Sequence, residues 1–341
     1  MSVTIYDIAK ESGVSTSTVS RVLSGKITPK GKSYAKVMDA VKSLNYQHRE
    51  QLPIYSSARH EIMVIVDDIT NPFYMEIATT IHQILTAASY RMAIYLSEPK
   101  HNSDEELLRL AETKNFSGVI MITAVETPEF VQLLKSYTVP LVLVNRIIRS
   151  LDLNSVCIDN ERGGYMATQY LIEKGHTKIA HLAGPAQSTA SADRLRGYRE
   201  ALEDSNIPFS SGDVFHGDLK AQSGRDFAQF FIRENYRDKY TAVFCANDIM
   251  AASLQDELRK HGINVPEDLS IVCFDDTSAT TSGEVKLTTV AQSPGVMGQA
   301  TAEFLLKLIS TECPVCQKAV FPPELIERDS VKSLLSAEEK A

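Results

Sequence analysis

Between residues 62 and 291, short apolar runs alternate with stretches whose apolar residues return every three or four positions. The first runs are IMVIV (62–66), RMAIYLS (91–97), GVIMIT (118–123) and PLVLVN (140–145), separated by longer-period segments at 73–88, 104–114 and 127–136. Runs of this length predict strands buried on both faces, and the longer period predicts the helices that cover them. After Asp159 the rhythm restarts, with KIAHLAG (178–184), AVFCAN (242–247) and LSIVCFD (269–275). Two successive βαβ series predict two doubly wound parallel sheets.

The opening residues follow a different pattern. In TIYDIAKESGVSTSTVSRVLSG (4–25), Ile5, Ile8 and Ala9 share a helical face before Ser12-Gly13-Val14 interrupts it. A second helix can start at Ser15, whose hydroxyl caps free N–H groups, with Val19, Val22 and Leu23 as its apolar face. Small Ala9 allows a close helix crossing, Gly13 accepts a left-handed turn, and Val14 and Val19 fill the angle. These are the steric demands of a helix-turn-helix. A third helix over Lys32 to Leu44 offers Tyr34, Val37, Met38, Val41 and Leu44 to complete a small core.

The second-helix positions left outside are Thr16, Ser17, Thr18, Ser20 and Arg21, groups suited to base edges in a major groove and to flanking phosphates. Thr4, Tyr6 and Ser15 join them as candidate DNA contacts. Lys26, Lys30, Lys32 and Lys36 surround the expected backbone contacts, although each lysine alone is equally a solvated surface charge. Gly31-Lys32-Ser33 ends like a nucleotide-binding phosphate loop, but Gly25 is one residue too far away and no strand precedes it.

Charge divides the same way. The formal charge of −8 over 341 residues splits into +5 for residues 1–60, from nine Lys/Arg and four Asp/Glu, and −13 for the remainder. A basic end on an acidic body fits a DNA-contacting module joined to a domain with another task. No apolar run nears the roughly 18 residues of a membrane helix, and Asp7, Lys10 and Glu11 interrupt any export signal, so a cytoplasmic, nucleoid-associated protein is expected. Of five cysteines, Cys157, Cys245 and Cys273 lie in apolar runs and read as buried thiols. Cys313 and Cys316 form a lone CxxC, either a surface loop or half of a redox or metal site. No cofactor or metal is expected, and the eight histidines, His176 and His181 among them, are scattered and read as structural.

The opening segment, followed by SLNY, resembles the N-terminus of the lactose-repressor (LacI/GalR) family of bacterial transcription regulators. VDDITNPFYMEI (66–77), DNERGGYMATQYLIEKGHTKIAHLAG (159–184), DRLRGY (193–198), AVFCANDIMA (242–251), VPEDLSIVCFDD (265–276), LTTVAQ (287–292) and LIERDSV (325–331) extend the resemblance over residues 3–332. It implies an all-α helix-turn-helix DNA-binding head plus an α/β periplasmic-binding-protein-like core of two doubly wound parallel-sheet lobes. The expected divisions are a head at 1–46, a hinge at 47–61, an N-terminal lobe from 62–160 with 291–320, a C-terminal lobe from 161–290 with 321–332, and a flexible tail at 333–341. The hinge departs from the family pattern: QHREQLPIYSSARHE (47–61) lacks the usual Pro-Asn-x-x-Ala-Arg-x-Leu, and Pro53 removes a backbone donor. Leu52 or Ile54 would have to replace the minor-groove leucine wedge, or intercalation is weak or absent.

In open parallel sheets ligands sit beyond the carboxyl ends of the strands. The polar residues there are Asp67, Asp68, Asn71, Asn145, Arg146, Asn247, Asp248, Asp275 and Asp276. Taken singly, each could merely cap a helix. The resemblance implies that Arg194 grips effector hydroxyls or carboxylates, that Asp275 accepts from hydroxyls, and that Asn247 and Gln292 add polar contacts. It also places Phe73 and Tyr74 at the pocket border and Ser188 in a ligand-facing loop. Asn145 stands where sugar-binding relatives often have Asp, and Leu219 where many carry an aromatic platform, which disfavours a purine. These features predict a homodimeric repressor that reads a near-palindromic double-stranded DNA operator under a sugar or sugar phosphate effector. Residues 333–341 are too short for a tetramerising heptad tail. A solute-binding protein of the same fold is the competing class. An enzyme is not expected, for want of a G-x-G-x-x-G, phosphate-loop, G-x-S-x-G or metal-ligand motif.

Overall fold

The computed structural model describes residues 4–23, 31–44, 60–98, 103–122, 126–311 and 315–335. The chain divides into two compact units, Met1–Ser57 and Ala58–Ala341.

In the first unit, α1 (Ile5–Ser12) and α2 (Thr16–Leu23) are joined through Gly13, whose φ of 66° is a left-handed conformation that a β-carbon would penalise. The turn brings Ile8, Val19 and Val22 against Val37 and Ala40 of α3 (Lys32–Ser43) in one buried cluster. Ala9, Val14, Leu23, Tyr34, Met38, Val41 and Leu44 close around it. Ile5 departs from expectation: it opens α1 and is 37% exposed, and the cluster is filled without it.

In the second unit the order is β1 (Glu61–Val66), α4 (Pro72–Ala87), β2 (Arg91–Leu96), α5 (Asp104–Thr113), β3 (Gly118–Met121), α6 (Pro128–Leu134), β4 (Leu141–Val144), β5 (Asn154–Ile158), α7 (Asn160–Glu173), β6 (Ile179–Ala183) and α8 (Thr189–Asp204). It continues with β7 (Val214–His216), α9 (Ala221–Arg233), β8 (Ala242–Cys245), α10 (Asp248–Lys260), β9 (Ser270–Asp275), α11 (Ala279–Ser282), β10 (Thr288–Ala291), α12 (Pro294–Ser310), β11 (Lys318–Phe321) and β12 (Glu324–Ile326). One sheet runs β11-β5-β4-β3-β1-β2 and is parallel throughout. The other runs β12-β10-β9-β8-β6-β7, parallel except where β12 meets β10. The chain passes from the first sheet to the second after Ile158, returns after Ala291, and crosses again after Phe321.

Strand periodicity explains the layers. On β1, Ile62, Val64 and Val66 pack with Ile77 and Ile81 of α4 and Met297 and Leu305 of α12, while Met63 and Ile65 pack on the opposite face with Leu108 of α5 and Phe130 of α6. On the second sheet, Val243, Cys245, Ile271 and Cys273 face Met250 and Leu254 of α10, and Phe244, Val272 and Phe274 face Leu171 of α7 and Tyr198 of α8. Each fully buried Ile, Leu or Phe contributes about 1.5–3 kcal/mol by leaving water.

Two glycines let α7 and α8 touch backbone to backbone. A β-carbon at Gly164 would lie 2.2 Å from the Arg194 carbonyl oxygen, and one at Gly197 would lie 1.9 Å from that of Glu161. The approach fixes where α8 carries Arg194.

Cys157, Cys245 and Cys273 are free and buried, and Cys316 is half-buried; Cys313 lies outside the described residues. His181 is stacked between Tyr198 and Phe244, with centroids at 5.1 and 4.6 Å, and its Nδ1 donates to the Phe244 carbonyl at 2.9 Å. Burial pushes its pKa down to about 4, so the ring is neutral. His176 bridges the Thr241 hydroxyl at 2.9 Å and the Lys332 carbonyl at 3.1 Å. The start of the expected free tail is pinned: the Leu334 N–H donates to the Lys174 carbonyl at 2.7 Å, and Leu335 packs where a Gly175 side chain would stand. Residues 336–341 lie outside the described residues.

Candidate DNA-reading face and ligand cleft

On the first unit, Thr16, Ser17, Ser20 and Arg21 of α2 are exposed, as are Lys36 and Tyr6, the latter by 77%. Other expected contacts are partly engaged in holding helix ends. Ser15 Oγ accepts from the Thr18 N–H at 3.2 Å and lies 2.8 Å from the Thr18 hydroxyl, satisfying the start of α2. The Thr4 N–H and hydroxyl donate to the Asp7 carboxylate at 2.8 and 2.7 Å, doing the same for α1. Lys26, Lys30, Leu52, Ile54 and the Lys32 side chain lie outside the described residues.

In the second unit, both sheets aim their carboxyl ends at a cavity of about 550 Å³. From the first sheet it receives Asp67, Asp68, Asn71, Phe73 and Tyr74 after β1 and Asn145 and Arg146 after β4; from the second it receives Ser188 and Arg194, Leu219, Asn247 and Asp275. Local chemistry fixes several of these. Asn71, Ser188 and Asn247 are N-caps of α4, α8 and α10, each accepting a backbone N–H, while the Asn247 amide donates to the Leu219 carbonyl at 2.8 Å. Asn145, Leu219 and Asp275 have positive φ (59°, 66° and 108°), so the chain turns sharply where it meets the cavity.

Arg194 is the most constrained group. Its Nε donates to Asn160 Oδ1 at 2.9 Å, Nη1 donates to the Ala246 carbonyl, and Nη2 lies 3.5 Å from Asp275 Oδ1, with the guanidinium 3.7 Å over the Phe274 ring. Burial raises the Asp275 carboxyl, and Arg194 and the Gln292 amide, which donates at 2.6 Å, draw it back. Burial likewise raises the Tyr74 hydroxyl and lowers Arg146. Arg146 Nε and Nη1 and Asn145 Oδ1 are buried with no hydrogen-bond partner among the described residues.

Gln292, an expected ligand contact, and Asp248 and Asp276, two of the polar residues at the strand ends, are not among the residues that line the cavity. Gln292 acts behind Asp275. Asp248 is fully buried, accepting the Thr277 N–H at 2.6 Å and the Thr289 hydroxyl at 3.1 Å. Asp276 is held by Arg328 at 2.6 Å and the Thr280 hydroxyl at 3.2 Å. Neighbouring residues on a turn point different ways, so only Asp275 of the Asp275-Asp276 pair reaches the cleft. Conversely, Ser97, Glu98, Asp104, Asp218 and Lys220 line it unforeseen. Four of them follow β2 or β7, so the carboxyl-end rule could have found them.

Residues 4–48 match the bacterial regulatory proteins of the lacI family, and residues 168–331 match a periplasmic binding protein-like domain. The HTH-type transcriptional regulator DegA of Bacillus subtilis (strain 168) is 31% identical over 338 residues, covering 98% of this chain and 99% of its own. The chain belongs to the LacI family. Among solved structures, the regulator CelR in complex with cellobiose superposes with a TM-score of 0.72 at 28% identity, covering 96% of this chain and 99% of its own. The lac repressor dimer bound to operator and the anti-inducer ONPF gives 0.71 at 25%, covering 97% and 100%. This LacI-family regulator thus couples a helix-turn-helix head to a two-lobed core, and its two candidate sites fall one on each compact unit.

Proposed function

We propose that this regulator is a repressor whose heads read the half-sites of a near-palindromic operator as a homodimer, with operator affinity set by a neutral sugar-like polyol bound in the cleft. The observation that carries the effector class is the Arg194–Asp275 pair. A fixed guanidinium donor and a carboxylate acceptor 3.5 Å apart suit adjacent hydroxyls, each of which both donates and accepts. The lining carries Asp67, Asp68, Glu98, Asp104, Asp218 and Asp275 against Arg146, Arg194 and Lys220, an acidic balance that repels a phosphate ester. The cellobiose carried by CelR agrees with this class.

Support for a second copy comes from the edge strand β2. Ile94 and Leu96 are 43% and 38% exposed, and Leu96 pairs with Val66, three residues before Ile69, which is 49% exposed. Effector closing the two lobes would alter how paired copies present their heads. The test has two steps. Selection of bound fragments from random DNA should enrich a near-palindrome, and a neutral sugar from a panel should then shift affinity for that fragment. Enrichment of single half-sites would overturn the dimeric reading, and a response to a nucleobase but to no sugar would overturn the effector class.

A further inference from the structure

Three chain crossovers join the two sheets, so any change in how the lobes meet must be absorbed there. The first and third are tied together, because the Asp159 N–H donates to the Phe321 carbonyl at 2.9 Å. The first enters α7 at Asn160, which is 5% exposed and does not line the effector cavity.

The Asn160 side chain serves two groups at once. Its Oδ1 accepts from Arg194 Nε at 2.9 Å, and its Nδ2 donates at 3.3 Å to the carbonyl of Ile158, the last residue of β5. A guanidinium only donates and a carbonyl only accepts, so the group between them must carry one acceptor and one donor, as a carboxamide does. Helix capping does not account for it: Asp159 fills that role, accepting the Arg162 N–H at 3.0 Å. Arg194 is meanwhile held beside Asp275 and over Phe274, and the Gly164 and Gly197 contacts lock α8 on α7. The guanidinium therefore cannot re-aim toward a ligand without moving the Asn160 amide, and the amide pulls on the crossover.

Gln292, at the second crossover, is placed differently. Its side chain donates to Asp275 Oδ1 at 2.6 Å, while its Oε1 is buried with no hydrogen-bond partner among the described residues. The strand ladder already ties this crossover to Asp275, through the Ala291–Asp275 pairing and the Gln292 N–H, which donates to the Asp275 carbonyl at 3.4 Å. Loss of the Gln292 side chain leaves that backbone link in place, whereas the link from Arg194 to the Ile158 carbonyl is the Asn160 side chain itself.

We propose that Asn160 is a positioning residue that transmits occupancy of the cleft to the crossovers, and so to operator affinity. The proposal rests on the cleft being the effector site and adds the route by which the ligand-gripping pair reaches the lobe connections.

Anisotropy on the full-length protein tests it, with the selected operator fragment and saturating glucose, galactose, ribose or cellobiose as the probe. The ratio of operator affinities with and without sugar reads coupling alone, since saturation removes differences in sugar affinity. For wild type it should lie at about 5–150. Asn160→Asp keeps the acceptor for Arg194 and loses the donor to Ile158. Its ratio should fall to about one, with sugar binding by calorimetry within about threefold of wild type. Asn160→Ala, which removes both bonds and suits a helix, should lose the ratio and also bind sugar more weakly. Gln292→Ala should bind more weakly and keep the wild-type ratio. A wild-type ratio in Asn160→Asp, or equal loss in Asn160→Asp and Gln292→Ala, would overturn the proposal. Hydrogen exchange supplies a second readout without sugar: by the reciprocity of linkage, operator should change amide exchange over 156–162 in wild type but not in Asn160→Asp. The same response in both proteins, or none in wild type, overturns it independently. If none of the four sugars shifts wild-type operator affinity, the polyol reading fails, and the exchange measurement alone decides the role of Asn160.

Discussion

Arg194 and Asp275 reach each other from α8 and the end of β9, 3.5 Å apart and both more than nine-tenths buried, beside a cavity that opens between two sheets. Burying two charges is costly, and the pair is sustained by further hydrogen bonds from Arg194 to Asn160 and Ala246 and from Gln292 to Asp275. Removing one partner leaves the other charge uncompensated in the interior. Asp275→Asn should therefore cost about 3 kcal/mol in urea denaturation and abolish effector heat, whereas Gln292→Ala, one step removed, should weaken the effector without abolishing it. Equal loss of binding in both variants would place Gln292 in contact with ligand.

The backbone contact between α7 and α8 gives a second expectation. Gly197→Ala drives a β-carbon to 1.9 Å from the Glu161 carbonyl oxygen, a collision no rotamer relieves, and the helices must part. A loss of at least about 2 kcal/mol is expected, with weakened effector binding because Arg194 rides on α8. Gly295→Ala is the contrasting case. Gly295 lies in the first turn of α12 and its nearest neighbour, Thr80 Oγ1 of α4, would be 4.0 Å away, so the change should be neutral or stabilise by up to about 1 kcal/mol. Thermal melting of the two variants checks both.

Much of this is legible in the sequence. Ala9, Gly13 and Val19 announced the head because a tight helix crossing restricts residue size at fixed spacing. The run IMVIV announced a strand buried on both faces, and it packs that way. The carboxyl-end rule located Asp67, Asn71, Asn145, Asn247 and Asp275 at the cleft. What it could not give was orientation. Asp276 turns to Arg328 and Asp248 to Thr277, because the pointing of a side chain at a sharp turn depends on partners remote in sequence.

His181 should make stability depend on pH. Its pKa is pushed down to about 4 by burial, against an ordinary 6.5, so between those values the unfolded chain binds the extra proton. The contribution is complete above pH 6.5 and is lost as pH falls from 6.5 to 4, on the order of 3 kcal/mol in total. Arg194 and His216 face the ring and reinforce the shift. Asp248 and Asp275, raised by burial, act in the opposite sense, so the readout is the difference between the wild type and His181→Gln. Wild type should lose more stability than the variant from pH 7 to 4.5. Parallel profiles would mean that His181 charges without cost.

The head offers a separation of roles that binding data can resolve. Ser17, Ser20 and Arg21 are exposed on α2, where they can meet base edges, while Lys36 stands exposed on α3, outside the reading helix, where its ammonium suits a backbone phosphate. Ser17→Ala and Arg21→Ala should each weaken the selected operator by about 1–3 kcal/mol while relaxing preference at particular base pairs. Lys36→Ala should weaken all sequences alike and reduce the slope of log affinity against log salt by about one. Gly13→Ala acts through neither route: nothing lies within 4 Å of the added carbon, but φ at 66° costs roughly 1 kcal/mol of head stability, so its binding deficit should shrink on cooling as the head refolds. Fluorescence anisotropy on the selected fragment and on a scrambled one, across a salt series, distinguishes the three. Should Lys36→Ala change sequence preference instead, α3 rather than α2 alone would be reading bases.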